Sequence, residues 1–150
     1  MITFHTLCPE IAARETRSMT VVQSDLGLPS DDYAFIEFYC EDRLCDCRRV
    51  FIEVLSRKTK AVLASINFGW EKESFYRKKI PFDPEAPRRI TRGWLDPLHP
   101  QSKHAKELLR LFQGVVGDAS YCLRLKRHYQ LFKSCLEQEQ RSPAGQPQAT

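Results

Sequence analysis

Residues 48–56 and 60–70 read RRVFIEVLS and KAVLASINFGW, and these two stretches predict neighbouring β-strands. Both are rich in Val, Ile and Phe, and the polar segment from Arg57 to Lys60 separates them as a turn. A third stretch of the same kind, YAFIEFYC at 33–40, comes before them, and residues 15–23 add a first strand. Consecutive strands with short connections predict an antiparallel β-meander.

The C-terminal part of the chain changes its hydrophobic period. After Ser102, which is a predicted helix cap, apolar residues recur at three- and four-residue spacing as far as Gly117. Asp118 is a second predicted cap, and it precedes a second apolar stripe. The members of that stripe are Cys122, Leu125, Tyr129, Phe132 and Leu136. The sequence therefore predicts an α+β fold in which a C-terminal α-helical hairpin covers the sheet.

The length of 150 residues fits one domain. We predict that this domain spans 1–140, because the tail at 141–150, RSPAGQPQAT, has no large apolar side chain to bury and should be disordered. Residues 71–79 are a possible short helix. Residues 80–101 are predicted to be an ordered connector, because the prolines of PFDPEAP (81–87) exclude regular structure.

The composition indicates a soluble protein. No apolar run approaches the roughly 20 residues of a membrane span, and the first residues, MITFHTLCPEIAARE, have no basic segment followed by a long apolar one. We therefore expect a cytoplasmic protein with no membrane partner. In a reducing compartment, clustered cysteines bind metal or do redox chemistry more often than they form structural disulfides.

Three cysteines lie close together in the stretch YCEDRLCDCRRV (39–50). Cys40 ends one predicted strand, and Cys45 and Cys47 begin the next, so all three lie at the same end of a strand pair. Residues two apart in a strand face the same side, which directs Cys45 and Cys47 to one centre. Zinc takes thiolate ligands from compact loops of this kind. The sequence thus predicts a cysteine metal knuckle.

A fourth ligand has to come from elsewhere in the chain or from solvent. Cys8 is the candidate, because it lies in a predicted flexible segment before the first strand; His5 or a water could take its place. Four cysteine ligands would indicate a structural site, whereas an open position would indicate an enzyme. The alternative is that the three loop cysteines are small buried apolar residues at a strand end.

Zinc is favoured over an iron–sulfur cluster. Plant-type ferredoxins use a C-x4-C-x2-C spacing, and this loop is one residue shorter. An iron–sulfur or thiol redox protein stays an alternative. Two other cysteines, Cys122 and Cys135, are predicted to pack in the core. The histidines His99, His104 and His128 match no metal motif and are predicted to lie on the surface.

The sequence contains no catalytic motif that we recognise, so we predict a zinc-stabilised, non-enzymatic binding module whose partner is a protein or a nucleic acid. The nucleic-acid alternative rests on residues 77–92, which hold a net charge of +4, equal to that of the whole chain. Aromatic side chains are interleaved with these cations, as on single-strand nucleic-acid surfaces. The candidate contacts are Arg77, Lys78, Lys79, Arg88, Arg89 and Arg92.

Three stretches, YCEDRLCDCRRVF, WLDPLHPQS and LRLKRHYQLF, resemble a group of small bacterial proteins of unknown function. The resemblance runs from Phe4 to about Phe132. It implies that the cysteine loop and the Asp-Pro-Leu turn belong to one shared domain. It implies no activity and assigns no role to any residue.

Overall fold

The structure, a computed structural model, describes residues 1–22 and 27–141. Its elements, in chain order, are β1 (Ile2–Thr3), α1 (Phe4–Leu7), α2 (Pro9–Glu15), β2 (Ser18–Val21), β3 (Asp31–Tyr39), β4 (Arg49–Ser56), β5 (Val62–Gly69), α3 (Glu73–Lys79), α4 (Ala86–Arg92), β6 (Trp94–Leu95), α5 (Ala105–Val116) and α6 (Ala119–Arg141). The predicted disordered tail, apart from Arg141, lies outside the described residues.

The strands form one six-stranded antiparallel sheet with β4 at its centre. Phe35 of β3 lies opposite Val54 of β4, and Ile52 of β4 lies opposite Ile66 of β5. Beyond β5 the sheet is extended by β6, whereas β1 and β2 both pair with β3 along its other edge. The predicted antiparallel meander is confirmed.

One face of the sheet carries the hydrophobic core. Phe112 of α5 makes edge-on contacts with Phe35 and Phe68, and Phe132 of α6 packs 5.5 Å from Tyr39. Burial of aromatic area of this kind is a major source of stability. The two helices meet at Gly117. The predicted α+β fold with a C-terminal helical cover is confirmed.

The N-terminal segment differs from its prediction. The strand expected from Glu15 is shorter and begins at Ser18, and two short helices precede it. Cys8 lies between these helices and is 6% exposed, so the prediction of a flexible segment around it is wrong. Helices this short are not stable by themselves, and α1 owes its place to packing, since Phe4 is buried in the core.

The connector at 80–101 also contains regular structure that the sequence reasoning excluded. Helix α4 begins at Ala86 and holds Pro87 in its first turn, where the missing N–H is not needed. It ends at Gly93, whose φ of 83° is in the left-handed region. Tyr76 of α3 packs with Ala86 and Ile90 in a small second core. Pro87 therefore lies in the first turn of a helix, in a segment whose prolines were expected to exclude regular structure.

Within residues 1–22 and 27–141, no helix combines the length and the apolar composition that crossing a membrane requires.

Candidate metal centre

The cysteine loop joins β3 to β4 at one end of the sheet. Cys40 directly follows β3, as predicted. Cys45 and Cys47, however, lie before β4, which begins at Arg49, so the prediction that they start the strand is wrong. The reason is local: Arg48 has a φ of 48°, which breaks the extended backbone between Cys47 and the strand.

The three loop cysteines nevertheless converge. The thiol sulfurs of Cys40, Cys45 and Cys47 all lie within 4.8 Å of one another. Thiolates bound to one tetrahedral zinc are about 3.8 Å apart, as follows from Zn–S bonds of about 2.3 Å. The observed spread exceeds that value by about an ångström, which small side-chain rotations can close. These three residues form a group that could hold a metal ion.

Contacts from two helices fix the loop. The Lys133 ammonium of α6 donates to the backbone carbonyls of Cys40 and Asp42, at 3.1 and 2.7 Å. The Tyr76 hydroxyl of α3 donates to the carbonyl of Arg48 at 2.7 Å. Inside the loop, the Cys45 N–H donates to the Asp42 carbonyl at 3.2 Å. The cysteines are thus positioned by α3, α6 and a turn of the loop.

Positive charge lies next to the thiols. A pocket of about 190 Å³ is lined by Cys45 and Cys47 together with Arg49 and Lys79. Cations near a thiol favour its thiolate form, which is the form that binds metal. Arg48 is engaged elsewhere, since it binds both carboxylate oxygens of Asp46 and lowers the pKa of that carboxyl. The cations that face the pocket are therefore Arg49 and Lys79.

The two predicted sources of a fourth ligand are not brought into this group. The Cys8 sulfur lies 3.4 Å from the sulfur of Cys135 on α6. His5 is exposed on α1. Within the described ranges, the only metal-capable group of three or more residues is the set of three loop cysteines. A fourth ligand for Cys40, Cys45 and Cys47 stays unassigned.

Some of the other cysteines and histidines lie where the sequence predicted, and one does not. Cys122 and Cys135 are partly buried and pack against the core, as predicted. His99 is exposed and contacts Asp96 at 2.8 Å, which also agrees with the prediction. The surface assignment of His128 is wrong, because that residue is completely buried.

His128 belongs to a buried cluster that sequence reasoning missed. Its Nδ1 lies 2.8 Å from a carboxylate oxygen of Glu37, and its Nε2 lies 2.6 Å from a carboxylate oxygen of Glu15. Each ring nitrogen thus lies within hydrogen-bond distance of a carboxylate oxygen, one from Glu37 and one from Glu15. The Tyr39 hydroxyl donates to the same Glu37 carboxylate at 2.5 Å, and Phe4 stacks on the imidazole with ring centroids 4.3 Å apart.

This cluster is a structural element rather than a reaction centre. Glu37 is 4% exposed and His128 is 0% exposed, so no substrate can reach them. The partner at the surface is Glu15, whose pKa falls to about 2 because it accepts hydrogen bonds first from His128 and then from Arg127. A histidine between two carboxylates therefore joins α2, β3 and α6.

The basic segment is divided between two helices and is partly neutralised. Arg77 pairs with Glu73 at 3.5 Å. Arg89 pairs with Asp83 and also lies over the ring of Trp94. The remaining cations of the predicted set are exposed; they are Lys78, Lys79, Arg88 and Arg92. Half-buried Phe75 and buried Tyr76 anchor α3, whereas Phe82 is 85% exposed.

Comparison with protein-family models, with curated proteins and with solved structures gave no match for the chain. The resemblance to small bacterial proteins of unknown function therefore stays a prediction.

Proposed function

We propose that this protein is a zinc-stabilised, non-enzymatic binding module in which Cys40, Cys45 and Cys47 hold the ion as thiolates. The observation that carries the proposal is the convergence of three thiol sulfurs within 4.8 Å at one end of the sheet. Soft thiolate ligands favour zinc, copper(I) and iron–sulfur clusters, and hard ions such as magnesium prefer oxygen ligands. Zinc is favoured because an iron–sulfur cluster usually takes four cysteine ligands and only three converge here. A zinc ion can combine three thiolates with a fourth ligand of another type.

The lining of the adjacent pocket supports a structural role. Its residues other than the two cysteines are Arg49, Tyr76, Lys79 and Ile80. None of these described lining residues is a carboxylate or an imidazole, the groups that usually act as general base beside a catalytic zinc. In a structural site the fourth position of the ion is taken by a donor from elsewhere in the chain or by a ligand from the binding partner.

Leu44 suggests where a partner would bind. Its side chain is 96% exposed at the tip of the cysteine loop, between Cys40 and Cys45. An isolated apolar side chain on a loop that metal binding makes rigid is a suitable anchor for another macromolecule. Metal binding would lower the entropic cost of presenting it.

Metal analysis of purified protein tests the proposal. We expect about one zinc per chain. Cobalt(II) substitution should give the intense near-ultraviolet bands of sulfur-to-metal charge transfer, together with visible bands of a tetrahedral ion. Absorption of visible light by the protein as purified would instead favour the iron–sulfur alternative. A fully folded metal-free protein whose melting temperature does not respond to added zinc would contradict the structural site.

Variants then assign the ligands. Cys45→Ser and Cys47→Ser should each abolish zinc binding and lower the melting temperature, because metal binding contributes folding free energy. Cys122→Ser is the matched control, since the Cys122 thiol bonds to the carbonyl of Val116 and does not belong to the group of three converging cysteines, so this variant should keep its zinc. Retention of zinc in Cys8→Ser would assign the fourth position to a donor other than Cys8.

A nucleic-acid-binding function is the second candidate, and one observation favours it. Lys79, a member of the basic segment, lines the same pocket as Cys45 and Cys47. Exposed Lys78 lies beside it on α3. A nucleic-acid partner could therefore contact the basic helix and the metal loop together.

Titration with labelled single-stranded oligonucleotide at two salt concentrations tests this candidate. Affinity should fall steeply with salt, because each neutralised phosphate releases counterions. Lys79→Glu should weaken binding, and Lys60→Glu should not, because Lys60 lies in the β4–β5 turn at the opposite end of the sheet. Equal effects of the two substitutions would argue against a specific site, and no binding at low salt would remove this candidate.

A further inference from the structure

Two cysteines from distant parts of the chain contact each other outside the cysteine loop. Cys8 lies between α1 and α2, and Cys135 lies in the second half of α6, 127 residues later. Their sulfur atoms are 3.4 Å apart. Both residues pack against the hydrophobic core, with Cys8 buried and Cys135 half-buried.

We propose that Cys8 and Cys135 are a redox-active dithiol that forms a reversible disulfide, with hydrogen peroxide as the oxidant. A disulfide bond is about 2.05 Å long, so the two sulfurs need to approach by about 1.4 Å, which side-chain rotation at each residue can supply. The proposal is independent of the metal site, because neither thiol belongs to the group of Cys40, Cys45 and Cys47.

The surroundings of the two thiols set the order of events. Burial first, and then the neighbouring Cys135 thiol, raise the pKa of Cys8 to about 12. Cys8 is therefore a protonated, shielded thiol, whereas Cys135 is partly open to solvent. The thiolate is the reactive form of cysteine, and access limits its reaction. Cys135 is the residue that meets the oxidant.

The chemistry balances in two steps. The Cys135 sulfur attacks one oxygen of hydrogen peroxide, the O–O bond breaks, and the released hydroxide takes up the proton that Cys135 gives off, which forms water. This leaves Cys135 as a sulfenic acid. The Cys8 sulfur then attacks the Cys135 sulfur, the S–O bond breaks, and the leaving hydroxide takes the Cys8 proton as a second water. Two thiols are oxidised to one disulfide, and one peroxide is reduced to two waters.

The bond would tie together both ends of the fold. Cys8 lies between the two N-terminal helices, and α6 is the last element of the part of the chain that the structure describes. A cross-link between residues so far apart removes much of the freedom of the unfolded chain. We expect the oxidised protein to melt about 5–15 °C higher than the reduced protein, as a cross-link of typical effect does in a domain of this size.

Peptide mapping tests the proposal directly. The reduced protein of residues 1–150 is treated with peroxide while folded and in the presence of added zinc, its free thiols are blocked, and it is digested with trypsin without reduction. The tryptic peptides 1–14 and 134–141 each contain one cysteine, Cys8 and Cys135 respectively. The expected result is a species in which these two peptides are joined, and which reduction separates.

Three variants provide the controls. Cys8→Ser should lose the joined peptide and stop at the sulfenic acid of Cys135, which dimedone captures. Cys135→Ser should lose it without forming that adduct on Cys8. Cys122→Ser should keep the joined peptide and the full rise in melting temperature. If the joined peptide forms only when the protein is oxidised in denaturant, or if Cys8 joins a loop cysteine instead, the proposal is overturned.

Discussion

Replacement of His128 by leucine tests the buried carboxylate–imidazole–carboxylate cluster. Leucine has a similar volume and removes both hydrogen bonds of the ring, at 2.8 Å to Glu37 and 2.6 Å to Glu15. The two glutamates are affected differently. The side chain of Glu15 is 26% exposed and keeps Arg127 at 2.7 Å, whereas that of Glu37 is 2% exposed. The substitution therefore leaves Glu37 as a buried carboxylate with Tyr39 as its remaining side-chain donor.

The expected cost follows from that uncompensated charge. Removing one partner of a buried ion pair typically costs about 3–5 kcal/mol, and loss of the stacking between His128 and Phe4 adds to it. We expect His128→Leu to lower the free energy of unfolding by about 4 kcal/mol. For a domain of this size, that loss lowers the melting temperature by about 8–16 °C.

The double variant separates an unpaired charge from a simple packing defect. In Glu37→Leu/His128→Leu no buried charge is left, and the Tyr39 hydroxyl can turn to the Leu125 carbonyl, which already lies at 3.2 Å. Apolar replacement of a whole buried pair is often close to neutral. The double variant should therefore be more stable than His128→Leu.

Urea unfolding followed by circular dichroism measures all three proteins under the same conditions. A loss below about 1 kcal/mol for His128→Leu, or a double variant less stable than the single one, would refute the reasoning. The first outcome would mean that the cluster contributes little to stability. The second would mean that shape, and not charge, decides the cost.

Three further predictions concern acid stability and the packing of two glycines. Because hydrogen bonds, first from His128, lower the pKa of Glu15 to about 2 from 4.5, its contribution to stability is complete above pH 4.5 and is lost as the pH falls towards 2. Glu15→Gln should flatten that part of the stability profile, as measured by urea midpoints across pH. Gly69→Ala should cost about 1–3 kcal/mol in thermal unfolding, because the new Cβ would clash with the buried Tyr76 hydroxyl. Gly114→Ala in α5 meets open space and should stabilise by about 0.5–1 kcal/mol.

The central strands and the last two helices were predictable because their patterns are long and regular. Apolar and polar residues alternate along the whole of β3, and apolar residues recur over several turns of α5 and α6. Local sequence is therefore sufficient to predict these elements. The short helices α1, α2 and α4 were not predictable in this way. Their stability comes from tertiary contacts, such as the burial of Phe4 in the main core and of Ile90 in the small one.

The candidate site was half predictable for a similar reason. The spacing of Cys40, Cys45 and Cys47 confines the three thiols to one loop, so their convergence needs little knowledge of the rest of the fold. The contact between Cys8 and Cys135 depends on how α6 packs on the N-terminal helices, which no local pattern encodes. The position of Cys8 before the first predicted strand was therefore a weak basis for predicting it as the fourth ligand of Cys40, Cys45 and Cys47.

The buried cluster did leave a signal in the sequence. Glu37 occupies a position of β3 whose neighbours two residues away, Phe35 and Tyr39, are core-facing, so its carboxylate has to be buried. A buried charge requires a partner, and His128 follows Leu125 by three residues on the apolar stripe of α6. A search for the partner of Glu37 would have identified His128 as a core residue.

The two proposals assign different chemistries to the same residue type, and the surroundings of the cysteines are the basis of the distinction. Cys45 and Cys47 are partly exposed in a loop, converge with Cys40 on a group that could hold a metal ion, and share a pocket with the cations Arg49 and Lys79. Cys8 is buried, and burial raises its pKa to about 12, which disfavours the thiolate that a zinc ion needs; its sulfur lies 3.4 Å from that of Cys135, and this contact is what supports a disulfide. The two groups are also connected through α6. Lys133 of this helix donates hydrogen bonds to the cysteine loop, and it lies two residues before Cys135. A disulfide between Cys8 and Cys135 would therefore restrain the part of α6 that contacts the cysteine loop.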